Sequence, residues 1–546
     1  MLLRSSRAAL LLAATLLAGP ALADPTPGVT SANPKSPGLV QPNVLVTGLA
    51  EVPVAQGATR LENPATVTVG GGATATISSY GYWANGPQVP LPAAPGVEAS
   101  KTEPDKNTYL VLRGLRGADP AYDYGTHFLF QGHETGVAGR GYVTRINLDA
   151  DGDHRVTLIA TQERNGAPLP TFDGSTWNPF ARRLLLSCEN GTSGGIWQAT
   201  LDVPAVVENL HGSFGRGGYE GIQVDSHGDV WVVEDVGGPN GAVNDHARQP
   251  NSFVYRFVPE RAADLTSGKL QVLQVRSRRT GQPIVFHAGQ ADADILSGDV
   301  RDLHTYGLTF DTAWVTLHDT AVDGTASFDA NALAKARGGT PFKRPENGQF
   351  RPGNGFREFF FDATGDTDLR TQAGSAFGGF GAIFRLAQAS PSASTGHLSL
   401  FYLGDPVHAG FDNVGFWDEN RVVFVEDAGD TLHAQRNALD SAWLFDVRVD
   451  YASPSRQPLR LLAQGRDASA TIDSALGGTP GFQNEGDNEI TGFHVSSGDP
   501  GASGLLGAGI PQPFRDGWRV FYTQQHGDNV TWEIVPAPGF PPDGLE

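Results

Sequence analysis

The chain has 546 residues, a formal charge of −20, 69 glycines, 37 prolines and a single cysteine. An acidic balance of this size excludes a nucleic-acid-binding protein, which needs a basic face, and makes an anionic substrate tolerable only where bound cations reverse the local field. One cysteine excludes an internal disulfide and leaves a buried apolar thiol, a reactive thiol or a metal ligand as its roles.

Arg4 and Arg7 precede a small apolar run from Ala8 to Leu17, and Ala21-Leu22-Ala23 has the small residues of a cleavage site. Residues 1–23 are therefore predicted to be a secretory signal peptide, too short to span a bilayer. No later run approaches the ~20 apolar residues that crossing needs. The mature chain is expected to be periplasmic or secreted, free of the membrane and a monomer. Residues 24–105 form an N-terminal arm and decoration, beginning Pro- and Ser-rich and then carrying short β-like runs such as Ala65–Val69 and Ala73–Ile77.

From residue 106 to 535 one layout recurs. An apolar strand ends in polar groups: Phe128-Leu129-Phe130 runs to His133-Glu134, Leu184-Leu185-Leu186 to Cys188-Glu189, and Val230-Trp231-Val232-Val233 to Glu234-Asp235. Further along, Ala313–Leu317 runs to His318-Asp319, Val422–Val425 to Glu426-Asp427, and Val520–Thr523 to Gln525-His526. Several of these have a preceding partner that opens with a polar group, as in Tyr219-Glu220-Gly221, Tyr306–Phe310, Phe411-Asp412-Asn413 and Asn488-Glu489-Ile490. Repeated antiparallel units that each offer a polar strand end to a common axis predict an all-β fold, a β-propeller with loop insertions. Asp149–Asp153 reads as a hairpin turn, Ala332–Arg337 as one of very few helices, 363–378 and Thr431–Asp440 as irregular insertions, and 536–546 as a tail.

Carboxylates converging on one axis without Lys or Arg repel each other by several kcal/mol unless cations neutralise them. Hard cations such as calcium take six to eight oxygen ligands, whereas a thiolate favours a transition metal. One Cys among many acids thus suggests a mixed cluster, with calcium at the oxygen-rich side and iron or zinc near sulfur. The ligand candidates at the strand ends are Glu134, Cys188, Glu189, Glu220, Asp412 and Glu489. Arg344 precedes Pro345, which biases its backbone to an extended form. Glu346, two residues on, would then share its face. Arginine suits bidentate phosphate recognition.

The order His133-Glu134, Cys188-Glu189-Asn190, Glu220-Gly221-Ile222, Arg344-Pro345-Glu346-Asn347, Asp412-Asn413, Glu489-Ile490-Thr491-Gly492 and Gln525-His526-Gly527 resembles the PhoX-type alkaline phosphatase family over roughly residues 108–530. The resemblance implies a six-bladed propeller that hydrolyses phosphate monoesters with an iron–calcium cluster. Cys188 and Glu346 would hold iron, Glu220 would bridge or hold a metal, and Arg344 and Glu346 would be the catalytic pair, with Arg344 gripping the phosphate. This chain departs from the family pattern in its plain signal peptide and in Asn190 and Asn347, where the family has acids. Each amide keeps an oxygen donor but loses a charge. The rival expectations are a calcium-dependent propeller hydrolase of another class, lactonase-like, and a non-catalytic binding propeller.

Overall fold

The computed structural model describes residues 28–35, 41–85, 101–137, 139–465, 489–525 and 529–540. The expected signal peptide, His526-Gly527 and most of the tail lie outside them. The described chain is all-β and propeller-like, built from antiparallel meanders in five sheets. The first meander, Pro104–Val111, His127–His133, Val143–Asn147 and Val156–Ala160, is widened to seven strands by Arg60–Thr68, Thr74–Ser79 and Trp83–Asn85. Ser175–Asn178, Arg183–Cys188, Gly195–Ala199 and Val207–Asn209 form a four-stranded sheet.

Next comes a nine-stranded sheet. It opens with Tyr219–Val224, Val230–Glu234, Val254–Arg261 and Asp264–Val275, and closes with Gly348–Phe350, Glu358–Ala363, Ala382–Gln388 and Thr395–Leu403. The two runs are joined through Thr309–Asp319. In the next sheet Phe411–Phe416, Arg421–Glu426, Ser441–Asp446 and Leu459–Ala463 are edged by Val44–Leu45. In the last, Glu489–Ser496, Arg519–Gln525 and Val530–Pro536 take Leu49–Ala55 as outer strand, so the N-terminal stretch completes the final unit.

The innermost strands touch in ring order: Pro104–Val111, Ser175–Asn178, Tyr219–Val224, Gly348–Phe350, Phe411–Phe416, Glu489–Ser496, and back to the first. Side-chain bonds stitch the ring, including Ser175 Oγ to the Lys106 carbonyl at 2.9 Å and Asn413 Nδ2 to Thr491 Oγ1 at 2.9 Å.

The strands behind the ring are covered on both faces, which explains why they read as continuous apolar runs rather than alternating ones. Val230 to Val233 are all 1% exposed or less. Trp231 meets Trp314, Phe350 and Phe359 at ring separations of 5.0 to 5.1 Å, and each such buried ring contributes about 1.5–3 kcal/mol. The turn before this strand is set by Asp225. Its Oδ1 accepts from the His227 and Asp229 amides at 2.8 and 3.2 Å, and its Oδ2 from Trp231 Nε1 at 3.0 Å. Asp149–Asp153 is likewise a turn, with Asp151 Oδ1 accepting from the Asp153 amide at 3.1 Å.

The expected helix is Ala330–Ala336, N-capped by Asp329 accepting from the Ala332 amide at 2.8 Å. A short helix, Gly429–Arg436, lies in the expected insertion around Thr431. The hairpin expected between Tyr306–Phe310 and Ala313–Leu317 is absent. Thr309–Asp319 is one continuous strand, because Asp311-Thr312 carries no glycine or proline to reverse the chain.

Candidate metal centre

Four strands end in the polar pairs singled out in the sequence, and each pair divides in the same way. Successive side chains on a strand point to opposite faces. The last strand residue therefore turns into the sheet, and the residue after it turns towards the axis. His133 is clamped between Thr102 Oγ1 at 3.0 Å and Thr144 Oγ1 at 2.9 Å and stacks on Tyr142. Glu234 accepts from Tyr255 Oη at 2.9 Å and Asn331 Nδ2 at 3.0 Å. Glu426 accepts from Trp443 Nε1 and from Arg436 Nη2, both at 2.9 Å. Cys188 holds the same position, fully buried in an apolar cluster with Leu184, Leu186, Phe172 and Trp197. The second members, Glu134, Glu189 and Asp235, enter the acid groups, and the charge of Asp427 acts on Glu189 and Glu489.

The inner strands supply the rest through irregular registers. Pairing slips between Pro104 and Asn107, between Tyr219 and Ile222, between Phe411 and Val414, and between Thr491 and His494. Such bulges re-aim side chains next to sites. Here they carry Asp105 and Lys106, Glu220, and Asp412. Gly221 is required by close approach. Its amide donates to the Glu346 carbonyl at 2.8 Å, and a Cβ there would stand 2.6 Å from Asn347 Cα.

Among the described residues three groups of acids bring ligand atoms within 4.8 Å of one another: Asp105–Glu134–Asp173, Glu189–Glu220–Asp235 and Glu220–Glu346–Asp412. That separation is the span of two calcium–oxygen bonds of ~2.4 Å. Glu220 belongs to two groups. Its Oε2 is buried without a hydrogen-bond partner, as is Asp362 Oδ2 beside it in the ring. Burial, and then the charge of Glu346, push the Glu220 carboxyl well above the usual range. Burial followed by Asp235 does the same to Glu346, burial followed by Glu189 to Glu134 and Asp173, burial followed by Asp105 to Asp412, and burial followed by Asp427 to Glu489. Glu189 is pushed up to about 8 by burial and then Asp235. Orphaned buried oxygens and a shared hard donor set fit divalent cations bound by oxygen.

Arg344 enters from the loop before Gly348–Phe350. Its Nε donates to Asp235 Oδ1 and Oδ2 at 3.1 and 3.0 Å, and its Nη2 lies 2.9 Å from Asp235 Oδ2 and 3.2 Å from Glu346 Oε1. Burial works to lower its pKa, but the charges of Asp235 and Glu346 outweigh it, so the guanidinium stays charged. The extended backbone expected ahead of Pro345 is not found: Arg344 has φ of 56°, a left-handed conformation. The Arg344 carbonyl accepts from the Thr364 amide at 2.8 Å, so tertiary pairing overrides the local preference.

Of the residues expected from sequence, Glu134, Glu189, Glu220, Glu346 and Asp412 are brought into the three groups, and Arg344 reaches Glu346. Glu489 stands beside Asp427 and Glu134 without joining a group. Cys188 Sγ is in none of them; it accepts from Asn190 Nδ2 at 3.1 Å, and burial pushes the thiol up to about 11. His318-Asp319 belongs elsewhere: His318 stacks on Phe328 and Asp319 pairs with Lys269 at 3.0 Å. Sequence reasoning missed Asp105, Asp173, Asp362 and Lys106. An acid at the second position of an inner strand is the signal shared by Asp105, Glu220 and Asp412, and it would have found the first.

Residues 243–438 match the family model described as Alkaline phosphatase PhoX. The fold is similar to that of PhoX from Pseudomonas fluorescens in complex with vanadate, a transition state analogue, at 12% identity and TM-score 0.53, covering 94% of this chain and 98% of that one. A gluconolactonase from Xanthomonas campestris, at 11% identity and TM-score 0.34, covers 93% of this chain and 99% of its own. A glucose dehydrogenase, at 10% and 0.29, covers 66% and 95%. The last two superpose too loosely to bear on the argument. No curated protein matches the chain.

Proposed function

We propose that this chain, whose residues 243–438 match the Alkaline phosphatase PhoX model, hydrolyses phosphate monoesters at the acid ring, with Arg344 as the phosphate clamp. The observation that carries the reading is the pairing of one guanidinium with acid groups that share Glu220. A phosphate monoester brings up to two negative charges to a chain of formal charge −20, so the ring must be neutralised before substrate enters.

Calcium would fit the oxygen groups, held by Glu220, which belongs to two of them, and by Asp105, Glu134, Asp173, Glu189, Asp235, Glu346 and Asp412. Bound cations there supply charge that offsets the phosphoryl oxygens as the transition state forms. Iron at Cys188 and Glu346 rests on the family resemblance, since the thiol sits one pleat away from the ligand groups. Arg344 has a planar fork of donors that would bind two phosphoryl oxygens and orient the ester. Glu346 positions the guanidinium and would help to hold a cation beside it. Burial of the ring acids puts them in a low-dielectric setting, which strengthens each of these contacts.

We read the nine-stranded sheet as two blades bridged by Thr309–Asp319, which gives six blades around the ring. Residues 24–105 then act as decoration that lends strands to the first and the last two blades, and 106–535 is the catalytic domain. With residues 1–23 as signal peptide, the mature monomer works in the periplasm or outside the cell. No helix among the described residues is long and apolar enough to cross a membrane. The test is hydrolysis of p-nitrophenyl phosphate by purified mature chain, after chelation and again after adding calcium and iron. Activity that chelation does not touch refutes the metal centre, and absence of hydrolysis in every metal condition refutes the phosphatase reading.

A further inference from the structure

One cation is already inside the ring. Lys106, in the bulge of the first inner strand, is 1% exposed. Its Nζ donates to Asn347 Oδ1 at 2.9 Å. The same amide donates from Nδ2 to Glu220 Oε1 at 3.3 Å, and the Asn347 main-chain amide donates to Asp362 Oδ1 at 2.8 Å. Burial lowers the pKa of Lys106, and the negative charges of Asp105 on its own strand, Asp412, Asp362 and Glu220 work against that and favour the ammonium. Asp105 belongs to one acid group, Glu220 and Asp412 to another, so the ammonium stands where the groups adjoin.

The chemistry of position 347 matters here. An aspartate would set a second anion 3.3 Å from Glu220. The amide instead accepts from the lysine on one side and donates to the glutamate on the other, and so passes the positive charge on without adding a negative one. Lysine suits this task, because its ammonium is a compact point charge on a stem that can be buried along apolar surface. A buried ammonium without anions about it would be strongly disfavoured, and so would the carboxylates without it.

We propose that Lys106 is a resident cation of the ring, neutralising its Asn347 side so that the chain binds one divalent ion fewer than its carboxylates would otherwise demand. The inference rests on the metal-centre reading above. It assigns no contact with substrate to Lys106, which acts through the carboxylates it balances.

The test uses full-length mature chain, stripped of metal and then dialysed against calcium, with Lys106→Met and Lys106→Arg beside the wild type. The readouts are calcium per chain by elemental analysis and Tm with and without calcium. Lys106→Met is expected to bind roughly one further calcium ion per chain, to melt below the wild type when metal-free, and to regain most of that loss in calcium. Lys106→Arg, which keeps the charge, is expected to hold the wild-type calcium number. Should metal-free Lys106→Met fail to fold, the calcium count of the protein purified in calcium decides alone. A wild-type calcium number in Lys106→Met, with the same Tm loss in both conditions, overturns the proposal and leaves the metal centre standing. A wild-type chain that binds no calcium overturns both.

Discussion

Arg344 is the residue on which stability and activity should separate. Its side chain is 20% exposed and its partners Asp235 and Glu346 are 7% and 6% exposed. At separations near 3 Å and an effective dielectric of ~20, each pair contributes about 5 kcal/mol of gross Coulomb energy, most of it offset by desolvation. Arg344→Met leaves two acids facing each other without a counter-charge, and the metal-free protein should lose about 3 kcal/mol, measured as a shift in urea midpoint. Divalent cations replace the missing charge, so the loss should shrink in calcium. Activity should not recover. A clamp on the transferring phosphoryl group is worth about 10²–10³-fold in rate, or ~3–4 kcal/mol. The assay is kcat/KM on p-nitrophenyl phosphate in saturating calcium and iron, together with inhibition by inorganic phosphate. Arg344→Lys keeps the charge and loses the fork, so it should recover the urea midpoint but remain at least ~10-fold down in kcat/KM. An Arg344→Lys enzyme within ~3-fold of wild type on both readouts would show that the side chain supplies charge alone, and the clamp argument would be refuted.

Glu220→Gln removes the carboxylate shared by two acid groups and should weaken calcium binding by about 10–100-fold by titration calorimetry, a range typical of losing support at a metal centre; an unchanged isotherm would place the ions elsewhere. Cys188→Ala should abolish bound iron while leaving the calcium number intact, at a stability cost of ~1–2 kcal/mol for the lost packing beside Leu184 and Leu186; iron retained by the variant would put that metal wholly on oxygen ligands. His304 is buried with its Nδ1 donating to the Val300 carbonyl at 2.7 Å, and burial lowers its pKa to about 4. The unfolded chain therefore takes up a proton first as pH falls below about 6.5, so this contribution is fully present above that value and lost on the way down to the folded pKa. The wild-type advantage over His304→Gln should shrink by about 1 kcal/mol per pH unit between pH 6 and pH 4.5, read from urea midpoints, and a constant difference would mean that the imidazole titrates in the fold as it does in the unfolded chain.

The β class, the antiparallel units and the convergence of acids were legible because apolar runs of this composition ending in Glu or Asp have few other uses. Which member of each strand-end pair faces the axis was not legible from the pair alone. A pleat gives an axis one of every two neighbours. His133, Cys188, Glu234 and Glu426 all take the inward place and are satisfied there by threonines, apolar side chains, a tyrosine or an arginine. Two of the missed residues, Asp105 and Lys106, came from a register slip that a sequence pattern does not display. Pro104-Asp105-Lys106 opens with a proline and two charges and does not read as a strand, yet the slip between Pro104 and Asn107 turns both charged residues to use. Asp362 hides at the end of the phenylalanine-rich strand Glu358–Ala363, and it is drawn into the ring by the Asn347 amide rather than by any local signal. Arg344 reached Glu346 as expected, but through a left-handed backbone imposed by the Thr364 contact. The acids that alternation turns towards the axis and the acids that bulges turn towards it are thus independent sets. A ring that needs both must be neutralised at more points than the strand ends alone would suggest, and that requirement gives a buried lysine a reason to be there.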